Sequence, residues 1–325
     1  MALSATDSSI RRMRGPGVQS TADDVLAGVD LSGTRVLLTG ISSGLGLETA
    51  RAAASRGADV VGTARDLDKA HEALTPHADL GISVACCDLA SLESVRACSD
   101  VLRGRGDEFD VIIANAGVMN SPPGRTVDGF ETHFGTNHLG HFVLINRLVP
   151  LIRDRGRVVV LSSSAHHAAD VSIDDPGFER TPYDPYRAYG RSKTANILFA
   201  VEVDRRLRGQ AIRATAVHPG GIRTALLRHT TPELMQQMVA QARVQRDGTL
   251  GDPPPLKTVE QGAATTAWTA FVAPADETGG RYCEDCHVSD VADSGNVGVR
   301  SYAVDPARAA ALWVLSEALV DERFE

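Results

Sequence analysis

Several features are scarce or missing in this 325-residue sequence. Positive charge is not in excess: 33 Lys and Arg stand against 41 Asp and Glu, a formal net charge of −8. This balance gives no reason to expect binding to nucleic acid or to an anionic membrane surface. No apolar run approaches the ~18 residues that a membrane-spanning helix needs, and the N-terminus lacks the apolar core of a secretory signal. We therefore expect a soluble, cytoplasmic protein.

Metal-binding and disulfide patterns are scarce as well. The five cysteines are an odd number, unlike the disulfide framework of a small secreted protein. Cys283 and Cys286 form a CxxC pair, but a zinc site needs a second pair of ligands, and a redox CxxC usually opens a helix, whereas this one ends a predicted strand. His138 and His141 share a helix face without a carboxylate nearby. We expect packed free thiols and no metal.

The sequence does contain a regular alternation of short apolar runs with helical segments. Such continuous apolar strands are typical of a parallel sheet that is covered by helices on both faces. Right-handed crossovers then give a doubly wound sheet with its ligand crevice at the carboxyl ends of the strands. We expect an α/β fold with a single Rossmann-type sheet of about seven strands, in one domain of residues 31–325. The predicted strands are Arg35–Thr39, 58–63, 82–86, 111–114, 157–161, 212–217 and 280–283, and the predicted helices include 47–56, 259–272 and Pro306–Val320.

Two regions differ from this alternation. Residues 1–30 are predicted to be a flexible arm with a short helix, because 1–19 are rich in Ser, Arg and Gly and 20–24 offer a helix cap and first-turn acids. Residues 222–256 contain two short helical patterns before three consecutive prolines, and we expect a lid over the crevice. Its apolar stripe packs against the body or, alternatively, lines an apolar substrate site. The stripe consists of Leu234, Met235, Met238 and Val239.

A glycine-rich turn links the first predicted strand to the helix that follows it. Gly40, Gly44 and Gly46 lie in this turn. Missing side chains let the backbone approach a pyrophosphate, and the helix N-terminus supplies amide donors and a positive dipole end. The strand–turn–helix context therefore favours a dinucleotide site over a simple tight turn.

The end of the second strand carries the signal for the type of nicotinamide cofactor. An acidic residue there binds the ribose 2′-hydroxyl of NAD, whereas an arginine accommodates the 2′-phosphate of NADP. Arg65 comes first and Asp66 follows it. A guanidinium forms charge-assisted hydrogen bonds with phosphate, so we expect NADP(H) in preference to NAD(H). Asp66 leaves two alternatives open, since it could pair with Arg65 or bind the ribose itself.

Tyr189 and Lys193 are spaced to share one face of a helix, one turn apart. An ammonium close to a phenol favours the phenolate and lowers the phenol pKa from its usual value near ~10. The pair is therefore a candidate general acid and base for moving a proton on or off an alcohol oxygen.

Together these features resemble the short-chain dehydrogenase/reductase family. The resemblance extends in family order from Leu31 to Arg223, and the Thr-Ala-Arg-Asp and Ser-Ala-His-His runs are most similar to retinol-dehydrogenase-like and related bacterial members. The matching motifs are the TGxxxGxG turn at 39–46, Asp88-Leu89 after the third strand, Asn115-Ala-Gly117, the helix asparagine Asn137, the serine-rich strand end at 161–166, the Tyr189 and Lys193 pair, and the PGxxxT segment from Pro219 to Thr224.

The resemblance implies an enzyme that interconverts a carbonyl and an alcohol by hydride transfer with NADP(H). It assigns the proton transfer to Tyr189. It implies that Lys193 lowers the pKa of the phenol and also forms a hydrogen bond with the nicotinamide ribose. Ser163 would bond the substrate oxygen, with Ser162 as second choice, and Asn137 would hold a water that links Lys193 to solvent. The implied cofactor-binding residues are Gly40, Ser42, Ser43, Gly44, Leu45, Gly46, Arg65, Asp88, Leu89, Asn115, Ala116, Gly117, Tyr189, Lys193, Pro219, Gly220, Ile222 and Thr224.

Other functions remain as alternatives at this point. A sugar-nucleotide epimerase or dehydratase of the extended branch would carry GxxGxxG, which argues against that class. An NADP(H)-binding sensor without turnover would usually lack the tyrosine or the lysine, and both are present. We expect a small apolar alcohol, ketone or aldehyde as substrate, with His166 and His167 near the crevice mouth as candidate contacts. Family members often dimerise through the helices that carry Asn137 and Tyr189, so a homo-oligomer stays open.

Overall fold

In the computed structural model, which describes residues 15–245 and 247–324, the apolar runs form one eight-stranded sheet. The observed bounds lie close to the predicted ones. The exception is the fifth strand, which begins five residues before its predicted start. The prediction missed this first half because it is mostly polar and carries no apolar pattern. The strands are β1 (Arg35–Thr39), β2 (Asp59–Ala64), β3 (Ser83–Cys86), β4 (Phe109–Ala114), β5 (Ile152–Leu161), β6 (Arg213–His218), β7 (Tyr282–Glu284) and β8 (His287–Val288).

Helices connect these strands and cover both faces of the sheet. They are α1 (Ala22–Val25), α2 (Gly44–Ala54), α3 (Leu67–Leu74), α4 (Leu92–Arg105), α5 (Gly140–Leu148), α6 (Pro185–Leu207), α7 (Pro232–Ala242), α8 (Val259–Gly262), α9 (Ala264–Ala267), α10 (Ala275–Thr278) and α11 (Pro306–Val320). A π-helical turn precedes α5 (Phe134–Leu139), and another follows α9 (Trp268–Val272). Shorter 3₁₀ turns occur at Thr75–Leu80, Val149–Leu151, Ser164–Ala168, Arg208–Gln210, Ala225–His229 and Ser301–Ala303. Within the described residues, no helix is both long enough and apolar enough to cross a membrane.

The strand order is β3-β2-β1-β4-β5-β6-β7-β8, with the first seven strands parallel and β8 antiparallel to β7. This confirms the predicted doubly wound α/β sheet. The eighth strand is two residues long, too short to leave a sequence pattern. It is joined to β7 by a tight turn in which Asp285 and Cys286 both have positive φ (50° and 59°).

The core has one part on each face of the sheet. On one face, Phe142 of α5 packs against Phe199 of α6 and Trp313 of α11, with ring centroids 5.6 and 5.0 Å away. On the other face, Leu38 and Ile113 of the sheet belong to a cluster with α1, α2 and α9. Both strand surfaces are therefore buried, as the continuous apolar runs predict.

The short helix predicted after Ser20 is present as α1. Thr21 and Asp24 cap it reciprocally, and Ala22 and Leu26 are fully buried against the sheet-covering helices. The segment from Thr21 onward therefore packs against the folded body. Residues 1–14, which are part of the predicted flexible arm, lie outside the described residues.

The sheet topology gathers the predicted site residues at one edge. Strand order reverses between β1 and β4, and such a switch point opens a crevice beyond the carboxyl ends of the strands. Gly40 follows β1 and Asn115 follows β4, so these two turns meet across the switch point. The Asn115 Nδ2 donates to the Thr39 carbonyl oxygen at 2.8 Å, which joins the two turns directly.

Candidate active site

A cavity of about 550 Å³ extends along the carboxyl ends of the strands. Most of the residues predicted to bind a cofactor line it. Gly220 and Ile222 are absent from this lining, as are Ser163 and Asn137. The predicted residues in the lining are Gly40, Ser42, Ser43, Gly44, Leu45, Gly46, Arg65, Asp88, Leu89, Asn115, Ala116, Gly117, Tyr189, Lys193, Pro219 and Thr224.

Two of the three glycines in the turn after β1 have no room for a side chain. Gly40 has φ +79°, and a Cβ there would lie 2.8 Å from the Cβ of Ala116. A Cβ on Gly46 would overlap with the Gly40 carbonyl oxygen and would press on the Asn115 side chain. The first turn of α2 can therefore lie directly against the turn after β1. This leaves a bare backbone at a helix N-terminus, the arrangement that suits a pyrophosphate.

Asp66 and Arg65 have separate roles at the end of β2. The Asp66 Oδ1 accepts a hydrogen bond from the Lys69 amide at 3.0 Å, which makes Asp66 the N-cap of α3. Arg65 and Lys69 both line the cavity, and within the described residues no carboxylate lies at salt-bridge distance from either. Asp66 therefore does not pair with Arg65, and two cationic side chains are available at the adenosine end of the cavity.

The three serines after β5 point in different directions. The Ser162 hydroxyl donates to the Lys193 carbonyl oxygen at 2.8 Å and so holds the helix backbone. The Ser163 hydroxyl oxygen accepts from the Ala165 amide at 3.1 Å, and the Ser163 side chain is close enough to the Tyr189 phenol to lower its pKa. The structure thus brings Ser163, rather than Ser162, to the phenol.

Tyr189 and Lys193 are both buried at the cavity floor. Burial raises the pKa of Tyr189 to about 12, although the Ser163 side chain acts in the opposite direction. Burial also lowers the pKa of Lys193 to about 7. The Lys193 Nζ donates to the Leu161 carbonyl oxygen at 2.9 Å and lies 5.7 Å from the centre of the Tyr189 ring. The expected lowering of the phenol pKa is therefore wrong for this structure, because desolvation of the phenol dominates.

Asn137 lies in the π-helical turn before α5 and is fully buried. Its Oδ1 accepts from the Val118 amide at 2.8 Å, and its Nδ2 donates to the Val118 carbonyl (3.0 Å) and to the Ser192 hydroxyl (2.9 Å). The side chain therefore ties the loop after β4 to α6. A water linked to Lys193 would have to use the main-chain carbonyl of Asn137.

His166 and His167 lie away from the position predicted for substrate contacts. The His166 ring is fully buried, with its Nδ1 2.7 Å from the Ser163 carbonyl oxygen and its Nε2 accepting from the Arg300 amide at 3.2 Å. The His167 Nε2 lies 2.9 Å from the Gly298 carbonyl oxygen. Both rings brace the serine turn against the segment that follows β8.

The apolar stripe of residues 222–256 divides between two environments. Leu234 and Met238 pack against a cluster that contains Tyr189. Met235 and Val239 are 38% and 41% exposed. Only half of the predicted stripe therefore faces the site. The other members of the cluster are Met119, Ala165 and Tyr186, with Ala168, Leu226 and Leu227 packed at its edge.

Cys283 and Cys286 are buried free thiols. Burial raises their pKa values to about 12 and about 11, which keeps both protonated at neutral pH. The described residues contain no cluster of His, Cys, Asp or Glu that could hold a metal ion.

Sequence reasoning missed two cations in the cavity lining, Lys69 and Arg228. Lys69 lies one helical turn after Arg65, so its proximity to the same end of the cavity could have been inferred from the start of α3. Arg228 comes from the irregular 3₁₀ turn in residues 222–256, and no sequence pattern places that turn over the cavity.

Comparisons with known proteins agree with this geometry. The profile of the family described as short chain dehydrogenase matches residues 34–234. A "Probable oxidoreductase" of Streptomyces lividans is 39% identical over 88% of this chain and 97% of its own length. Human "Retinol dehydrogenase 14" is 36% identical over 95% of this chain and 93% of its own, so the similarity continues beyond Arg223.

Among solved structures, one of an uncharacterized protein from Mycobacterium paratuberculosis is 34% identical, with a TM-score of 0.71, and covers 94% of this chain and 99% of that one. The predicted resemblance is confirmed: this chain belongs to the short-chain dehydrogenase/reductase family, as a retinol-dehydrogenase-like member and an oxidoreductase that acts on CH–OH donors with a nicotinamide cofactor.

Proposed function

We propose that this protein interconverts a carbonyl and an alcohol with NADP(H), and that Tyr189 is its general acid and base. The observation that carries the proposal is the position of the buried Tyr189 and Lys193 in the lining of the same cavity as the glycine turn after β1. The nicotinamide ring, when bound, supplies or accepts the hydride. The chain supplies position, a proton and charge stabilisation.

In the direction of reduction, Tyr189 starts protonated, since its pKa is raised to about 12. It donates this proton to the carbonyl oxygen as that oxygen gains negative charge. Ser163 donates a second hydrogen bond to the same oxygen and stabilises the charge. Lys193, whose pKa is lowered to about 7, can supply positive charge beside the phenolate that remains. In the direction of oxidation the same groups act in reverse.

The preference for NADP(H) is supported by the separate roles of Arg65 and Asp66. A carboxylate that competes for the ribose hydroxyl would favour NAD(H), but the Asp66 carboxylate caps α3. Arg65 and Lys69 stay without carboxylate partners in the described part of the chain. A 2′-phosphate between them would form charge-assisted hydrogen bonds that NAD(H) cannot form. Arg228, from the opposite wall, adds a further cation to the cavity.

An apolar substrate fits the surroundings of Tyr189. The phenol is flanked by Met119 and Tyr186, and residues 222–256 add Leu234 and Met238 above it. A substrate that packs against these side chains buries its own apolar surface, and this burial contributes roughly 25 cal/mol per Å² to the free energy of binding. We therefore propose an apolar ketone, aldehyde or alcohol, with residues 222–256 as the lid.

The experiment measures NADPH oxidation with a panel of apolar ketones and aldehydes. Replacing Tyr189 by Phe should lower kcat/KM by ~10²–10⁴, because general acid catalysis is lost. The affinity for NADPH should stay close to the wild-type value. Tyr186→Phe is the matched control, since Tyr186 lies in the same buried cluster and on the same helix.

Two results would contradict the proposal. If the Tyr189→Phe variant turned over substrate as fast as the wild type, Tyr189 would not be the general acid. A wild-type protein that binds NADPH but turns over no member of the panel would instead favour a binding protein without turnover.

A further inference from the structure

The function proposed above does not use His141, although this ring is fully buried beside the site. Its Nε2 lies 2.9 Å from the Thr39 hydroxyl oxygen, and its Nδ1 lies 2.9 Å from the Asn137 carbonyl oxygen. The ring therefore bridges the end of β1, where the glycine turn begins, and the π-helical turn that carries Asn137.

The neighbours of Thr39 determine which nitrogen of His141 carries the proton. The amides of Asn115 and Ala116 both donate to the Thr39 hydroxyl oxygen, each at 3.0 Å. The single hydroxyl proton of Thr39 is then directed at His141 Nε2, which accepts it. The proton of the neutral ring therefore lies on Nδ1 and is donated to the Asn137 carbonyl. Burial and the nearby Lys193 keep the ring neutral by lowering its pKa to about 4.

Asn137 continues the chain of hydrogen bonds toward Tyr189. Its Nδ2 donates to the Ser192 hydroxyl at 2.9 Å, and Ser192 donates to the Tyr189 carbonyl oxygen at 2.7 Å. Hydrogen bonds thus link the Asn115–Ala116 turn, through Thr39, His141 and Ser192, to the backbone of Tyr189, and the covalent frame of Asn137 connects its main-chain carbonyl to its side-chain amide within this path. Each of its links is buried or half-buried.

We propose that His141 is a positioning residue that sets the distance between the cofactor turn and the Tyr189 helix. This inference rests on the proposed function, since it assigns His141 a role through Asn137 and Tyr189. His141 makes no contact with the reacting atoms in this account. Its two nitrogens match one hydroxyl donor and one carbonyl acceptor. An aliphatic side chain here would leave the Thr39 hydroxyl proton without its acceptor and the Asn137 carbonyl oxygen without the His141 donor, and each such loss in a buried site typically costs about 1–3 kcal/mol.

His138 offers a matched control on the same helical stretch. It is equally buried, and its Nε2 lies 2.8 Å from the Ser316 hydroxyl of α11, on the side away from the cofactor turn. Losing His138 removes a buried ring and one hydrogen bond but leaves the path to Tyr189 intact.

The test compares His141→Leu with His138→Leu in full-length protein, measuring kcat and, separately, the Kd of NADPH. A shift of about 1 Å between reacting groups can cost ~10²-fold, so His141→Leu should lower kcat by about 10- to 100-fold. The Kd of NADPH should change far less than kcat. His138→Leu should leave kcat near the wild-type value. The inference would be overturned if both variants lost kcat equally, or if the loss of kcat in His141→Leu came with an equally large rise in the Kd of NADPH.

Conservative variants test the two hydrogen bonds of the His141 ring one at a time. They also replace the leucine variant in the test if that variant does not fold. His141→Asn places an amide donor near the Nδ1 position, so it should retain more kcat than His141→Gln, which reaches only the Thr39 side. Adding Thr39→Val to His141→Leu should cost less than the product of the two single effects, because both interrupt one path. Independent, multiplying effects would contradict the path. If Tyr189→Phe is inactive while His141→Leu is fully active, this inference alone fails.

Discussion

At the scale of single residues, the cofactor preference depends on what Asp66 does. The order Arg65-Asp66 leaves the carboxylate free to bind ribose, to pair with the guanidinium or to cap a helix. In the structure the Asp66 Oδ1 accepts from the Lys69 amide, so the carboxylate caps the helix. This cap satisfies an amide that would otherwise lack a partner at the start of α3, and Asp66 also lines the cavity.

The cofactor preference can be tested at these residues. Arg65→Ala and Lys69→Ala should each raise the KM for NADPH by about tenfold or more, because a hydrogen bond to a charged group contributes ~1.5–3 kcal/mol. The KM for NADH should change little. Asp66→Asn is the control, since asparagine is an equally good cap. If Asp66→Asn instead impairs the use of NADH strongly, then Asp66 binds ribose and the assignment is wrong.

The sequence predicts which residues approach the site better than it predicts how they bond. The sequence alone does not distinguish the roles of the three consecutive serines. Only the turn after β5 places Ser162 against the Lys193 carbonyl and Ser163 near Tyr189. The same limit applies to Tyr189. Its spacing to Lys193 shows that the two lie close, but the depth of burial decides the direction of the pKa shift.

At the scale of elements, the apolar pattern predicts the strands that the sheet buries on both faces. β1 and α11 have the predicted bounds. Elements held by tertiary contacts were not predictable in the same way. β8 exists through its pairing with β7, and the π-helical turn at 134–139 has no periodicity that distinguishes it from an α-helix.

The 222–256 segment shows the same limit at its apolar stripe. Helical spacing groups Leu234, Met235, Met238 and Val239 together, yet α7 is partly exposed and only two of these residues reach the Tyr189 cluster. The Asn120 side chain fastens this segment to the body, since its Nδ2 donates to the Thr230 hydroxyl at 3.0 Å. This hydrogen bond joins residues that are 110 positions apart, so no local pattern in the sequence predicts it.

At the scale of the whole molecule, the buried site has a consequence for stability. The pKa of Lys193 is lowered from 10.5 to about 7 in the folded protein. Between these two values the unfolded chain binds a proton that the folded chain has released. The free energy of unfolding should therefore rise with pH in this window, by at most about 1.4 kcal/mol per pH unit.

Chemical denaturation of the cofactor-free protein from about pH 8 to about pH 9 measures this slope. The buried histidines have lowered pKa values and are neutral in both states there. The buried thiols of Cys283 and Cys286 keep their protons in the folded protein but begin to lose them in the unfolded chain, so they lower the slope equally in the wild type and in the variant described next. The Lys193→Met variant should lose the rise with pH. An equal slope in the variant and in the wild type would show that Lys193 is not the group responsible.

The central claim for the molecule is that Tyr189 delivers a proton where the cofactor delivers a hydride. The most direct measurement uses NADPH that carries deuterium at both hydrogen positions of C4 of the nicotinamide, with product analysis by mass spectrometry. The account predicts that wild-type enzyme places one deuterium on the former carbonyl carbon, and that Tyr189→Phe forms labelled product at a rate ~10²–10⁴ lower. Product without deuterium on that carbon, or labelled product formed equally fast by the variant, would contradict it.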